Sequence, residues 1–336
     1  MGRNVEISIL LPVFEAAATL EGCLRSIERQ TEPRFECVIV DDGSRDGSLA
    51  LARRSAARDR RFRVLAAPHR GLVAALHLGL AHCRGSLVAR MDADDWMHRE
   101  RLARQRAALL ADPGLAAVGS HVRLFPRRAL GAGMRAYERW LAGIDSPEGV
   151  RREAFVECPV AHPTLLIRAG LLRGFGYRER GWPEDYDLLL RLLGAGHRVG
   201  VVPRRLLGWR HGPGRLSRTD PRYAPERFIA CKAEFLARGF LAGGAGYLLW
   251  GYGGTGKALA RALRAHGRRP AAIVELHPRR LGQKIAGAPV IHPRELGAAL
   301  AAPLVVSVAG APARALIRAE LARLALREGA DYVCAA

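Results

Sequence analysis

Short apolar runs alternate along the first hundred residues with stretches in which apolar side chains return every three or four positions. Ile7–Val13 is a continuous apolar run that Pro12 brings to a close, and residues 17–29 then set Leu20, Leu24 and Ile27 at helical spacing. A second strand is expected over 37–40, running into Asp41-Asp42-Gly43-Ser44, with a helix over Ser48–Arg58 behind it. Residues 62–65 read as a third strand, Leu72–His82 as a third helix, and 87–91 as a fourth strand ending in Asp92-Ala93-Asp94-Asp95. Short apolar strands between helices of this length imply a mainly parallel sheet covered on both faces. Ligands of such sheets bind beyond the carboxyl ends of the strands, where both acidic clusters fall.

After residue 112 the pattern loosens into Gly- and Arg-rich connections until His162-Pro163-Thr164 and the apolar stretch 165–168. Trp182-Pro183-Glu184-Asp185-Tyr186-Asp187 follows, and helical spacing resumes at Leu188, Leu189, Leu192 and Leu193. A turn-rich segment over 209–217 precedes a helix at about 223–238, and the Gly/Ala stretch 239–246 reads as a domain joint. Beyond it a fresh strand, 247–250, runs into Gly251-Tyr252-Gly253-Gly254-Thr255-Gly256-Lys257 and a helix to about residue 266. Strands are expected again at 271–274, ending at Glu275, at 304–308 and at Tyr332–Cys334. The expected architecture is α/β throughout, with one domain over 1–240 and a smaller one over 246–336.

Composition narrows the class. At 336 residues, 49% hydrophobic and 25% charged, the chain is globular and excludes disordered, collagenous and disulfide-scaffold proteins. Its formal charge is +21, yet lysine occurs only at Lys232, Lys257 and Lys284, and the arginines come in ones and twos along the whole length. That is a diffuse cationic surface rather than the charge run of a nucleic-acid arm, so no specific nucleic-acid partner is expected. Six scattered cysteines form no Cys-x-x-Cys pair, which argues against zinc and disulfide frameworks and fits a reducing compartment. No basic-then-apolar leader pattern opens the chain, and the uncharged stretch 296–313 is broken by Gly297, Pro303, Gly310 and Pro312, reading as a helix end and a buried strand rather than a membrane span. A cytoplasmic protein is expected, at most peripheral on an anionic membrane.

Three carboxylate groups carry the chemistry: Asp41/Asp42, Asp92/Asp94/Asp95 and Glu184/Asp185/Asp187. An aspartate at a strand end often only caps the next helix. Alternatively, an Asp-x-Asp step offers two hard oxygen ligands that suit Mg²⁺ or Mn²⁺ on a substrate diphosphate.

With these residues in view, the chain over roughly 5–238 resembles the family 2 glycosyltransferases, inverting enzymes of the GT-A fold. The resemblance rests on residues 9–14, on Val38 through Ser48 around Asp41-Asp42-Gly43-Ser44, on Arg70-Gly71-Leu72-Val73-Ala74-Ala75-Leu76, on Ala89-Arg90-Met91-Asp92-Ala93-Asp94-Asp95, on His162-Pro163-Thr164 and on Glu184-Asp185-Tyr186-Asp187-Leu188. It implies a nucleotide pocket lined by Pro12, Val13, Phe14 and Glu15, with Arg70 in the same nucleotide-binding set, Asp42 on the base and Asp92 toward the ribose. It also implies Asp94 on the divalent metal, Asp185 as the general base and Glu184 orienting the acceptor. His211 is either a further metal or diphosphate contact or an exposed loop histidine; Arg210, Arg215 and Arg218 either steady phosphate or are solvated. His162 is expected to be a structural loop residue. Glu15 and His77 stand where asparagine is common in the family, and no Gln-x-x-Arg-Trp pattern follows the acidic site, which argues against a processive synthase.

Gly251-x-Gly253-x-x-Gly256 opens a helix after a strand, and Glu275 follows at the next strand end, a spacing that suits a small Rossmann-like module. Its ligand would be NAD(P) or another nucleotide on Gly251, Gly253, Gly256 and Glu275; the alternative is docking or oligomerisation. Ala258 after Lys257 excludes a P-loop ATPase. The first reading is therefore a non-processive transferase moving a sugar from a nucleotide-diphosphate donor to a hydroxyl of a glycan or lipid-linked glycan. The alternatives are an NAD(P)-linked sugar-modifying oxidoreductase and a noncatalytic binder of polyanions.

Overall fold

The structure, a computed structural model, describes residues 5–212, 214–299 and 302–336. Pro213 of the turn-rich segment, and Leu300 and Ala301 of the uncharged stretch, lie outside the described residues. The chain divides into two compact units. The first comprises Met1–Val150, Pro159–Arg180 and Asp187–Arg215, and the second Arg151–Cys158, Gly181–Tyr186 and Leu216–Ala336.

The first unit is built on an eight-stranded sheet of β1 (Ile7–Val13), β2 (Phe35–Asp41), β3 (Phe62–Ala66), β4 (Leu87–Arg90), β5 (Trp96–Met97), β6 (Leu115–Phe125), β7 (Leu166–Arg168) and β8 (Arg198–Arg210). Its order is β3-β2-β1-β4-β7-β6-β8-β5. The four strands at the start of that order are mutually parallel. Antiparallel β7 separates β4 from β6. Its helices are α1 (Ala17–Glu28), α2 (Ser48–Arg58), α3 (Leu72–His82), α4 (Arg101–Ala111), α5 (Ala132–Ala142), α6 (Pro147–Glu153, ending in the second unit), α7 (Ala169–Phe175) and most of α8 (Glu184–Gly194).

Every residue of β1 is buried because both sheet faces are covered. Ile7, Ile9, Leu11 and Val13 share one cluster with Leu20, Leu24 and Ile27 of α1 and Ala52 of α2. On the opposite face α3 closes directly on the sheet: a Cβ on Gly79 would collide with Leu10 and Val40. That close packing explains the continuous apolar runs, since a strand buried on both sides has no polar register to keep. β6 and β8, by contrast, pair over ten positions with several register shifts, and β8 leaves Pro203, Arg204 and Arg205 exposed. His77 has a plain structural role here: its Nε2 lies 2.9 Å from the Tyr177 carbonyl and ties α3 to the segment after α7.

The second unit carries the six-stranded sheet β11-β12-β10-β9-β13-β14, from β9 (Gly246–Trp250), β10 (Arg269–Val274), β11 (Lys284–Ile285), β12 (Ala288–Ile291), β13 (Leu304–Val306) and β14 (Tyr332–Cys334). All are parallel except β11. The remaining helices are α9 (Leu216–Thr219), α10 (Pro225–Arg238), α11 (Gly254–Ala265), α12 (Leu296–Ala299) and α13 (Ala311–Arg323). Ala233 and Leu236 of α10 and Leu259 and Leu263 of α11 pack with Tyr247, Leu249 and Val305. Ile317 and Leu321 of α13 pack with Leu248, Trp250 and Val306, so alternate residues of β9 feed two cores.

Polar contacts bind the short 151–158 segment into this unit. The buried Lys232 ammonium donates to the carbonyls of Val156 (2.7 Å) and Ala335 (3.2 Å), and Arg318 bridges Glu153 and Glu328, each at 2.8 Å. All six cysteines are buried thiols; burial pushes Cys83 and Cys334 up to about 12. Among the described residues no helix is long and apolar enough to cross a membrane.

Candidate active site

At the carboxyl ends of β1 and β2 the two loops hold each other. Pro12 and Val13 are buried, whereas Phe14 and Glu15 are exposed. Glu15 takes a left-handed φ of 47°, a conformation non-glycine residues keep only where neighbours impose it. Those neighbours are Ser44, whose Oγ accepts the Glu15 N–H at 3.1 Å, and Arg45, whose N–H donates to Glu15 Oε1 at 2.7 Å. Asp42 accepts the backbone N–H of Arg70 on Oδ1 and that of Gly71 on Oδ2, both at 2.9 Å, while His69 Nδ1 lies 2.8 Å from Oδ2. The His69 and Phe14 rings stack at 4.0 Å, 22° from parallel. Thus Phe14, Glu15, Asp42 and Arg70 are brought together, with the Arg70 side chain pointing into solvent.

Beyond β4 the chain turns through Asp92, Asp94 and Asp95, whose ligand oxygens all lie within 4.8 Å of one another. The turn rests on α1, where Thr19 Oγ1 donates to the Ala93 carbonyl (3.2 Å) and Cys23 Sγ to that of Asp92 (3.4 Å). Burial and the charge of Asp92 push the Asp94 carboxyl up to about 6, against the pull of Arg215 and Arg210. Asp95 is buried completely and raised by burial, Asp92 and Asp94. Its Oδ2 has no hydrogen-bond partner among the described residues. Three carboxylates thus crowd one turn with a buried oxygen unsatisfied, an arrangement that costs stability unless a cation compensates it.

Four arginines organise this turn. Arg90 Nη2 meets Asp92 Oδ1 at 2.6 Å, and Nη1 donates to the Met91 carbonyl. Arg101, fully buried on α4, donates to the Arg90 carbonyl (2.9 Å) and to Gln105 Oε1 (2.9 Å); burial pulls its pKa down to about 9. Arg210, at the end of β8, gives its N–H to Asp95 Oδ1 (2.7 Å) and Nε to the Asp94 carbonyl (2.8 Å), its guanidinium lying over Phe125 at 4.7 Å. Arg215 lies over Trp209 at 4.4 Å. His211 is buried, its N–H donating to the Phe125 carbonyl at 2.7 Å. His162 is also buried, its Nε2 3.0 Å from the Tyr177 hydroxyl, and burial pushes its pKa well down, as suits a neutral structural histidine. Arg90 and Arg101 were not among the expected site residues. The available signal for Arg101 was a charge on the α4 face otherwise filled by Leu102 and Leu109.

In the second unit Glu184 and Asp185 open α8. Glu184 is buried and accepts the Tyr223 hydroxyl on Oε2 at 2.6 Å. Asp185 is half-buried, with Oδ1 accepting the Tyr186 N–H at 2.7 Å. Asp187 is instead paired with Arg191 at 2.6 Å, the arginine also holding the carbonyls of Phe175 and Gly176. The glycine turn after β9 is tight: Gly251 has φ 95°, and a Cβ on Gly256 would run into the Gly251 carbonyl and Ser307 Oγ. Ser307 Oγ itself donates to that carbonyl at 2.7 Å. Gly253 faces open space. Glu275 accepts the N–H of Leu276 (2.9 Å) and pairs with Arg280 at 3.1 Å.

Comparison with known proteins identifies the family. The family model for glycosyl transferase family 2 matches residues 8–173. The glycosyltransferase EpsE of Bacillus subtilis is 30% identical over 204 residues, covering 59% of this chain and 70% of its own. The amylovoran biosynthesis glycosyltransferase AmsE of Erwinia amylovora is 31% identical over 209 residues, 61% of this chain and 76% of its own. Among solved structures, S. aureus TarS in complex with UDP superposes with TM-score 0.54 at 17% identity, over 78% of this chain and 72% of that one. A Pyrobaculum calidifontis mannosyltransferase in complex with GDP-Man and Mn²⁺ gives 0.53 at 20%, over 96% and 81%. These neighbours share the GT-A fold, and neither family nor neighbours support the oxidoreductase alternative or a nicotinamide cofactor. The chain is an enzyme, and it belongs to glycosyltransferase family 2.

Proposed function

We propose that the protein is a non-processive inverting glycosyltransferase that moves a sugar from a nucleotide-diphosphate donor to a hydroxyl of a glycan or lipid-linked glycan. The crowded carboxylates of Asp92, Asp94 and Asp95, with one buried oxygen unsatisfied, carry this reading. Three hard oxygen ligands gathered on one turn fit Mg²⁺ or Mn²⁺. Asp94 would hold the ion, with His211 as a further contact, and Asp92 would face the ribose. When bound, the ion supplies neutralisation of the charge on the departing nucleoside diphosphate. UDP, UDP-GlcNAc and GDP-Man in the fold neighbours support such a donor.

The protein's own part is positioning and proton transfer. Asp185 accepts the proton of the acceptor hydroxyl as that oxygen attacks the anomeric carbon from the face opposite the diphosphate. It stands in the first turn of α8 and is half-buried. Glu184, held by the Tyr223 hydroxyl, orients that acceptor. The glycine turn of the second unit we read as structural, and the diffuse arginines as a means of peripheral contact with an anionic membrane bearing the acceptor. The test is transfer from a panel of sugar nucleotides with Mn²⁺. Asp185→Asn is expected to lose about 10² to 10⁴ in kcat with UDP or GDP binding intact; turnover like the unaltered enzyme's would remove Asp185 from the role.

A further inference from the structure

We propose that Trp96 is a stacking platform for a pyranose ring of the acceptor. The proposal rests on the reading of a sugar-bearing acceptor and deepens it. Trp96 follows Asp95 directly and opens the two-residue strand β5, and it is 48% exposed. Its indole is nonetheless held on two sides. One face stacks on Phe125 at 4.6 Å, 20° from parallel. The Nε1 edge abuts α1 at Gly22, where a Cβ would stand 2.9 Å from Nε1 and 3.8 Å from both Cδ1 and Cε2. Gly208 of β8, the register partner of Trp96, makes room for both rings: a Cβ there would press on Phe125 at 3.3 Å and on Trp96 Cβ at 3.5 Å. With one face and one edge taken, the exposure belongs to the other indole face.

A ring held this way loses little freedom when a ligand binds. Arg210 flanks the pair, its guanidinium carbon 4.7 Å from the Phe125 centroid and 5.7 Å from that of Trp96, so the charge stands on the Phe125 side and the free indole face stays clear. The same arginine is tied to the acidic turn, through Nε to the Asp94 carbonyl and through its backbone N–H to Asp95 Oδ1. Two peptide units separate Trp96 from Asp94, at most about 7.6 Å between their Cα atoms. A flat apolar face that close to the turn offered to the donor diphosphate meets the sugars that react there. A pyranose fits it: its ring C–H bonds gather on one face and carry the positive polarity that the negative face of an indole attracts. Hydroxyls at the ring's edge can accept from the Arg210 Nη groups. The open face suits the acceptor, which enters and leaves carrying the rest of its glycan, better than a donor sugar enclosed against water during transfer.

Saturation-transfer NMR on the intact chain tests this, with the methyl glycosides of glucose, galactose, mannose and N-acetylglucosamine as probes. UDP-GlcNAc and GDP-Man with Mg²⁺ serve as parallel probes of the donor site. At least one glycoside is expected to bind, with saturation strongest at the C–H protons of one ring face. Trp96→Leu, which keeps apolar bulk on Gly22 and Gly208, should weaken that glycoside about tenfold. Trp96→Phe, with a smaller ring, should fall between, and both variants should bind the nucleotide sugars as the unaltered protein does. A glycoside affinity that Trp96→Leu leaves unchanged overturns the platform. Loss of nucleotide-sugar binding in Trp96→Leu, with the glycosides unaffected, would give the ring to the donor and overturn the acceptor assignment. Nucleotide sugars that bind while every glycoside fails would overturn this proposal and leave the donor reading standing; failure of both sets of probes would overturn the two together.

Discussion

The turn after β4 and the turn after β9 look alike on paper: each follows a central parallel strand and carries a pattern associated with phosphate ligands. Their polar accounts differ. After β4 three carboxylates crowd together, Asp95 Oδ2 is buried without a hydrogen bond, and Asp94 is pushed up to about 6. After β9 the polar side chains are paired within the fold: Ser307 donates to the Gly251 carbonyl, and Glu275 is taken by Arg280 and its own backbone. A strand-end pattern that satisfies itself is explained by folding. One that leaves a buried oxygen unsatisfied asks for a ligand.

The largest effect that separates the turns should come from Asp94→Ala. Sugar transfer is expected to fall on the order of a thousandfold or more, while the melting temperature of the metal-free protein rises, because one of three mutually repelling carboxylates is gone. A lowered melting temperature would place the site's strain elsewhere. Gly256→Ala should do the opposite, costing about 1–3 kcal/mol of stability through the clash with the Gly251 carbonyl, with kcat per folded molecule retained. Loss of kcat in the folded fraction would make the glycine turn functional after all.

A smaller effect follows from pH. A carboxyl raised from its usual range to about 6 stabilises the fold below the unfolded value, and that contribution is lost as pH rises through 6. Metal-free protein should therefore melt lower at pH 7 than at pH 5 on account of this group. Protons compete with the metal for the same oxygen, so the rise in melting temperature on adding Mn²⁺ should shrink as pH falls from 7 toward 5. A pH-independent Mn²⁺ effect would take Asp94 out of the metal set. The smallest effect belongs to Glu275→Gln: its partly exposed pair with Arg280 is worth at most about 1 kcal/mol, and activity should change less than about twofold.

How much of this was legible in the chain follows from burial. β1, β2 and β4 sit between two layers of helices, so their apolar runs and the acidic residues ending them stood out, and the expected strands agree within a few residues with Ile7–Val13, Phe35–Asp41 and Leu87–Arg90. β8 was not visible: its thirteen residues include exposed Arg204 and Arg205, and its pairing with β6 shifts register, so no single period runs through it. With β8 went the position of Arg210, whose backbone N–H on Asp95 depends on where that strand ends. Asp42 could be named from its motif, but that its oxygens turn to Arg70 and Gly71, leaving His69 outward, is a property of loop geometry. Asp187, adjacent to the candidate base, proved to be half of an ion pair.

The six buried thiols give the chain a property unrelated to sugar transfer. Cys23, Cys37 and Cys83 lie in the first unit, and Cys158, Cys231 and Cys334 in the second. Reagents that need a thiolate meet a double barrier at Cys23, Cys37, Cys83 and Cys334, since burial both shields the sulfur and raises its pKa. Modification at these positions therefore waits on local opening, and its rate at each cysteine is a clock for how often that part of the fold breathes.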